Sequence, residues 1–317
     1  MRLKSDLILL FVAAVWGSGF VAQRLAAGQM DTFYFNGGRF LLAALFLLVP
    51  ALLQKQGDLA LGRKQAPWMI LAGVLLFAAA GLQQAGLVTT TIGNASFITG
   101  LYVVLVPLIL FLFLKERITW LSWVAVVVAA VGVGLLSLQG EFRLAPGDTL
   151  ELIGAVIWAL HVILVGRLSS RGVDFLWFSV IQFITCGILS LLLAFVLVPD
   201  GFPAMVASWP AVLYSAAIPI GMGFSLQIVG QKHAPAVDAA IILSTEAVFG
   251  TLFGFLFLRE TLAPQQMLGC LLLFIATLLA QFQPGEKREL SPVPSVPSGT
   301  SALQVDQKAV QPDNVPE

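Results

Sequence analysis

The sequence predicts an all-α membrane protein of ten transmembrane helices, built as two inverted five-helix repeats and followed by a disordered C-terminal tail. Three observations carry this prediction. Of the 317 residues, 58% are hydrophobic and 11% charged, whereas soluble domains carry about 25% charged residues. The segment FLFLKERIT at 111–119 returns as FLFLRETLA at 255–263, which sets Glu116 over Glu260 at a shift of 144 residues. The same shift pairs Gln83 with Gln227 and Gly86 with Gly230, and Trp16 meets Trp158 at a shift of 142. The repeat therefore covers nearly the whole apolar part of the chain. The third observation is the distribution of basic residues, which follows from the placement of the spans.

A helix needs about 20 apolar residues to cross the hydrocarbon core. The first such run has Arg2 and Lys4 ahead of Leu7 to Val15 and resembles a secretory leader at its start. It continues through Trp16 to Val21, so an uncleaved span over 7–23 is expected. The next apolar runs place spans at 33–53, 67–87, 92–114 and 119–138, which complete a first unit at 7–138. Spans at 149–168, 175–198, 209–230, 237–258 and 263–282 form a second unit at 149–282. Five is odd, so the second unit enters the membrane from the opposite side, as in inverted-repeat secondary transporters. With the N-terminus inside, thirteen basic residues fall on the inner side, from Arg2 and Lys4 through Arg63, Lys64, Lys115 and Arg167 to Lys308. Three fall outside: Arg24, Arg143 and Arg259. Cytoplasmic loops are the enriched ones, so both termini are expected in the cytoplasm. Residues 283–317 carry six prolines among polar residues. They cannot bury enough apolar surface to fold, so a disordered cytoplasmic tail is expected.

Several function classes drop out. A formal net charge of zero provides no basic stripe for nucleic acid. Cys186 and Cys270 lack metal-ligand or redox spacing and read as small core residues. No HExxH, GxSxG or GxxxxGK[ST] motif occurs, and the two histidines are His161 within a span and His233 beside a loop. Neither an enzyme nor an ATP-driven pump is indicated, and no cofactor or metal site is expected.

The candidate site residues are polar or aromatic groups inside spans. An ionised side chain at mid-bilayer costs about 2.5–3.5 kcal/mol on insertion scales, so Glu246, read as the only carboxylate deep in a span and as ending no helix, is the first candidate for substrate and proton binding. Gly250 and Gly254 follow it at small-xxx-small spacing. His161 shares a helical face with Trp158 and is a candidate proton partner. Trp16 and Trp158 are matched between the repeats, as are Gln83 and Gln227, whose amides would be unpaired in lipid. Ser96, Thr99 and Tyr102 form one polar stripe. The expected substrate-binding set is Trp16, Gln83, Tyr102, Trp158, His161, Gln227 and Glu246, with Glu246 and His161 coupling to protons. Structural readings stand beside these: interface tryptophans, helix-bonding glutamines, a backbone-bonded histidine and a helix-tying glutamate. Arg39, two turns into its span, is expected to snorkel to the headgroups. Pro107 and Pro219 are candidate hinges.

The residues AVWGSGFVAQR at 14–24, GGRFLLAA at 37–44, FLKERIT at 113–119, GDTLELIGAVIWALHVILVGR at 147–167 and STEAVFGTLFGFLFLRETLAPQQMLG at 244–269 resemble EamA-type members of the drug/metabolite transporter superfamily. The resemblance spans about residues 7–282 and implies a bacterial inner-membrane permease with ten helices and a central cavity, exporting metabolites or amino acids. The family pattern places a proline after the glutamate of the ninth span. Here Ala247 follows Glu246, which puts the helix kink expected there in question. The leading expectation is an alternating-access secondary transporter for a small, amphipathic or zwitterionic solute, of unassigned oligomeric state. The alternative is a non-transporting membrane scaffold or sensor with a partner-binding tail.

Overall fold

The computed structural model describes residues 2–54, 59–90, 95, 98–137, 146–258 and 263–281. The expected tail, Ser96, Arg143 and Arg259 lie outside the described residues. Helix α1 spans Arg2–Ala27, α2 Thr32–Leu53 and α3 Leu59–Thr89. Helix α4 spans Tyr102–Leu112 after a helical turn at 98–100, and α5 spans Trp120–Ser137. Helices α6, Pro146–Ser170, and α7, Phe175–Leu197, follow. A short helix at Phe202–Ala207 leads into α8, Trp209–Gln231. Then come α9, Ala236–Leu243, α10, Glu246–Leu258, and α11, Pro264–Gln281. No strand occurs among the described residues.

Seven helical stretches in the described residues are long and apolar enough to cross a membrane, α9 and the start of α10 counting as one stretch. The apolar stretches Ile98–Leu112, Trp120–Leu135 and Pro264–Ala280 are shorter, and each adjoins residues outside the described set. Side chains sort as a bilayer demands. Leu45, Val49, Leu52, Val127, Leu192, Val196 and Phe274 point outward, while Asn36, Gln84, Gln182, Gln227 and Gln231 are buried. With lipid as apolar as leucine, helices associate through packing and interhelical hydrogen bonds rather than hydrophobic burial. Packing is closest between α2 and α7, between α5 and α11, and between α3 and α6. At the α3–α6 crossing a Cβ on Gly147 would run into the Gly86 carbonyl oxygen, so only glycine permits this approach.

Contacts between helix ends separate the bundle into two ends. At one, Arg2 pairs with Asp238 at 2.7 Å and donates to the Ala280 carbonyl, Arg167 pairs with Glu116 at 2.8 Å, and Gln54 donates to Asp174 at 3.0 Å. Lys115 lies in the left-handed region (φ 53°), and the Glu116 N–H closes onto the Leu110 carbonyl, turning the chain so that Glu116 meets Arg167. At the other end Arg24 donates to the Leu87 carbonyl at 2.9 Å, Thr90 to Asp148, and Gln265 to the Leu135 carbonyl at 3.2 Å. Asp31 and Asp174 cap α2 and α7 by accepting from the N–H groups of Phe33 and Tyr34, and of Trp177.

Two irregularities interrupt the middle of the bundle. Helix α8 is π-helical over Ala216–Phe224, around Pro219. Proline has no N–H to donate, which breaks the regular ladder there. Pro107, by contrast, sits inside a continuous α4. The second irregularity is the break between α9 and α10. Ser244 Oγ donates to the Ile241 carbonyl at 2.7 Å and Thr245 Oγ1 to the Ile242 carbonyl at 2.6 Å. The backbone N–H groups of Thr245, Ala247 and Val248 bond three residues back instead of four. The break expected of a proline thus arises from Ser244 and Thr245, whose hydroxyls compete for helical carbonyls.

Candidate functional site

The break makes Glu246 the first residue of α10. This corrects the expectation that Glu246 ends no helix: its carboxyl stands in the first turn, where the positive end of the helix dipole favours negative charge. Helix α1 packs directly onto the break. A Cβ on Gly17 would lie 2.7 Å from the Gly250 nitrogen and 2.8 Å from the Glu246 carbonyl oxygen. The close approach depends on Gly17, since a Cβ on Gly250 would meet nothing nearer than 3.8 Å.

A cavity of about 600 Å³, counting its open mouth, lies where these elements meet. Five of the seven expected binding residues line it: Trp16, Gln83, Tyr102, Trp158 and Glu246. Thr99, from the predicted polar stripe, lines it as well. The cavity reaches toward the Arg24 end of α1, through Phe20 and Gln23. On its other side, Leu9, Val12, Val106, Leu110 and Ile242 belong to an apolar core. The matched tryptophans converge on one ring: Phe224, from the π-helical stretch, lies 4.7 Å from Trp16 and 5.9 Å from Trp158, nearly parallel to the latter. Trp16 Nε1 donates to the Pro219 carbonyl at 3.0 Å, whereas Trp158 Nε1 is buried without a partner.

His161 and Gln227 do not line the cavity. His161 is fully buried, with Nε2 3.2 Å from Gln182 Oε1 and its ring edge-on to Trp158 and Phe224. Gln227 is 1% exposed, and neither side-chain polar atom has a partner. The Tyr102 hydroxyl lies beside the Glu246 carboxyl but forms no hydrogen bond of normal geometry with it. No group of three or more metal-ligating side chains occurs among the described residues.

Two sequence readings need correction. Arg39 does not snorkel: it is 3% exposed and lines the cavity, with its guanidinium carbon 4.5 Å and 5.4 Å from the ring centroids of Phe35 and Phe40. Glu246 is also not the only buried carboxylate within a helix. Glu151, in α6, is 1% exposed and accepts from Thr99 Oγ1 at 2.9 Å. Thr99 in turn accepts from Gln83 Nε2 at 3.4 Å, so a polar chain runs from the cavity wall to Glu151. Within GDTLELIGAV, Glu151 looks like a helix-start acid facing water, and nothing in its neighbours reveals its burial against Gly86.

A helical membrane protein with a central cavity, walled by an interrupted helix and a π-helical stretch, has the construction of a membrane transporter. The chain belongs to the EamA-like transporter family, whose profile matches it twice, over residues 3–138 and 145–282. An uncharacterized transporter of Archaeoglobus fulgidus is 34% identical over 285 residues, covering 89% of this chain and 87% of the relative. The uncharacterized transporter YetK of Bacillus subtilis is 26% identical over 259 residues, covering 78% of this chain and 77% of its own length. A protein of known crystal structure superposes with a TM-score of 0.74 at 18% identity, covering 88% of this chain and 97% of the other. At that identity the likeness carries the fold alone.

Proposed function

We propose that the protein is a secondary transporter that exports a small, amino-acid-like solute across a bacterial inner membrane by alternating access. The observation that carries this reading is the carboxyl of Glu246 at the start of a half-helix on the wall of a central cavity. Interrupted helices with their ends at the midplane are how transporters hold solutes and coupling ions. In this reading the chain has ten transmembrane helices in two inverted units, 7–138 and 149–282, with residues 283–317 as a disordered cytoplasmic tail. The two family matches and the pairing of α2 with α7 and of α5 with α11 support the repeat.

Trp16, Gln83, Tyr102 and Trp158 form the solute-binding wall, with His161 and Gln227 supporting it. Glu246 exchanges a proton as the cavity changes its exposure, with His161 as the companion candidate. Vesicles reconstituted with the protein and offered a metabolite panel under an imposed pH gradient test the reading. Gradient-driven accumulation of at least one solute is expected, and the absence of any flux above protein-free vesicles would refute it.

Both termini are taken to face the cytoplasm, on the thirteen-to-three bias of basic residues. Cysteines introduced as Arg63→Cys and Arg143→Cys check this in intact cells. A membrane-impermeant reagent is expected to label position 143 and spare position 63; the reverse pattern inverts the topology.

A further inference from the structure

Arg39 is a buried cation without a counter-ion. No described residue offers its guanidinium a hydrogen bond or an ion pair, and its Nε is enclosed without a partner. The flanking rings of Phe35 and Phe40 meet the guanidinium from their faces. A cation–π contact accepts none of the five N–H groups that the guanidinium presents in its own plane. A charged arginine inside a membrane helix is costly, and leaving a charged donor unpaired adds to that cost. The side chain lines the same cavity as Glu246, and no ion pair joins the two.

We propose that Arg39 is the anion-recognising residue of the cavity and that the transported solute carries a single carboxylate, seated on the Arg39 fork, together with a cationic group that faces Glu246. This rests on the cavity being the solute site. The geometry favours a monoanion over a phosphate ester, because one guanidinium is present and the Glu246 carboxyl shares the space. The apolar remainder of the solute packs on Phe40, Trp158 and Phe224, which wall the same cavity.

The test is calorimetric titration of the full-length protein in detergent with L-leucine and L-phenylalanine, with their amides, with phenethylamine and with phosphoethanolamine. The acids are expected to bind on the order of 10- to 100-fold more tightly than the amides, the range set by hydrogen bonds to charged groups. Arg39→Gln should erase that preference. Arg39→Lys, a point charge without the fork, should retain part of it. The wild-type comparison of acid with amide stands even where a variant fails to fold.

Equal binding of acids and amides, no binding of either acid, a preference for phosphoethanolamine, or an acid preference that survives Arg39→Gln would each overturn the proposal. Flux in vesicles is measured separately. Acids that bind without being moved would refute the transport reading while leaving Arg39 as an anion site. Amines moved as readily as acids would do the reverse.

Discussion

Tyr102 in the first half of the chain and Glu246 in the second are 144 residues apart, the same interval that relates Gln83 to Gln227. The two therefore occupy corresponding places, and they lie side by side on one cavity wall. One presents a phenol in a continuous helix beginning at Tyr102, the other a carboxyl at a helix break. The other matched pairs diverge similarly. Trp16 is bonded to the Pro219 carbonyl while Trp158 Nε1 is unpaired. Gln83 reaches the cavity, and the buried Gln227 does not line it. Two chain halves that each match the family profile thus bring unlike residues to the cavity: both halves supply walls, the first supplies the cation Arg39, and the second supplies the acid Glu246.

The largest expected effect tests the acid. Glu246→Gln keeps shape but cannot ionise, so uphill transport driven by a pH gradient should disappear and downhill exchange should weaken without vanishing, while protein level persists. His161→Gln should leave gradient coupling intact. Full pH-driven transport in both variants would sink proton coupling through either group.

A smaller effect separates the tryptophans. Trp16→Phe removes the hydrogen bond to the Pro219 carbonyl, at a stability cost of about 1 kcal/mol. Trp158→Phe removes only an unpaired N–H and should shift thermal stability less. Equal shifts in a detergent melting assay would show that the bond to Pro219 contributes nothing.

The smallest effect concerns the glutamines. Gln227 makes no hydrogen bond, so Gln227→Leu should be neutral or slightly stabilising. Gln83→Leu should weaken transport, because Gln83 faces the cavity and donates to Thr99. Transport lost in Gln227→Leu but kept in Gln83→Leu would reverse the assignment of wall and support.

The helices were readable in the sequence because span length and hydropathy are properties of a linear run. The observed α2, α7 and α8 end within one residue of the predicted bounds. Five cavity residues were readable because internal matching and polarity inside apolar runs single them out. Arg39 was misread because snorkelling depends on which way a side chain points, and nothing in NGGRFLLAA gives its direction. Glu151 was missed because four residues from Gly147 it resembles an ordinary helix-start acid. Phe224 is one of 23 phenylalanines, and its place between two tryptophans depends on a π-helical winding that has no signature beyond Pro219.

The bundle end at which Arg2 meets Asp238 and Arg167 meets Glu116 lies beyond the apolar core that closes the cavity on that side. In the alternating-access reading, opening that end separates both pairs. Arg2 is 35% exposed but Asp238 only 3%, and the Arg167 and Glu116 side chains are 10% and 13% exposed, so salt screens these pairs much less than it screens surface charges. At 2.7 Å and 2.8 Å both pairs are also closer than the Debye length of about 3 Å at 1 M salt. In that reading the latch at this end answers to the position of the helices and hardly at all to the salt bathing that side of the membrane.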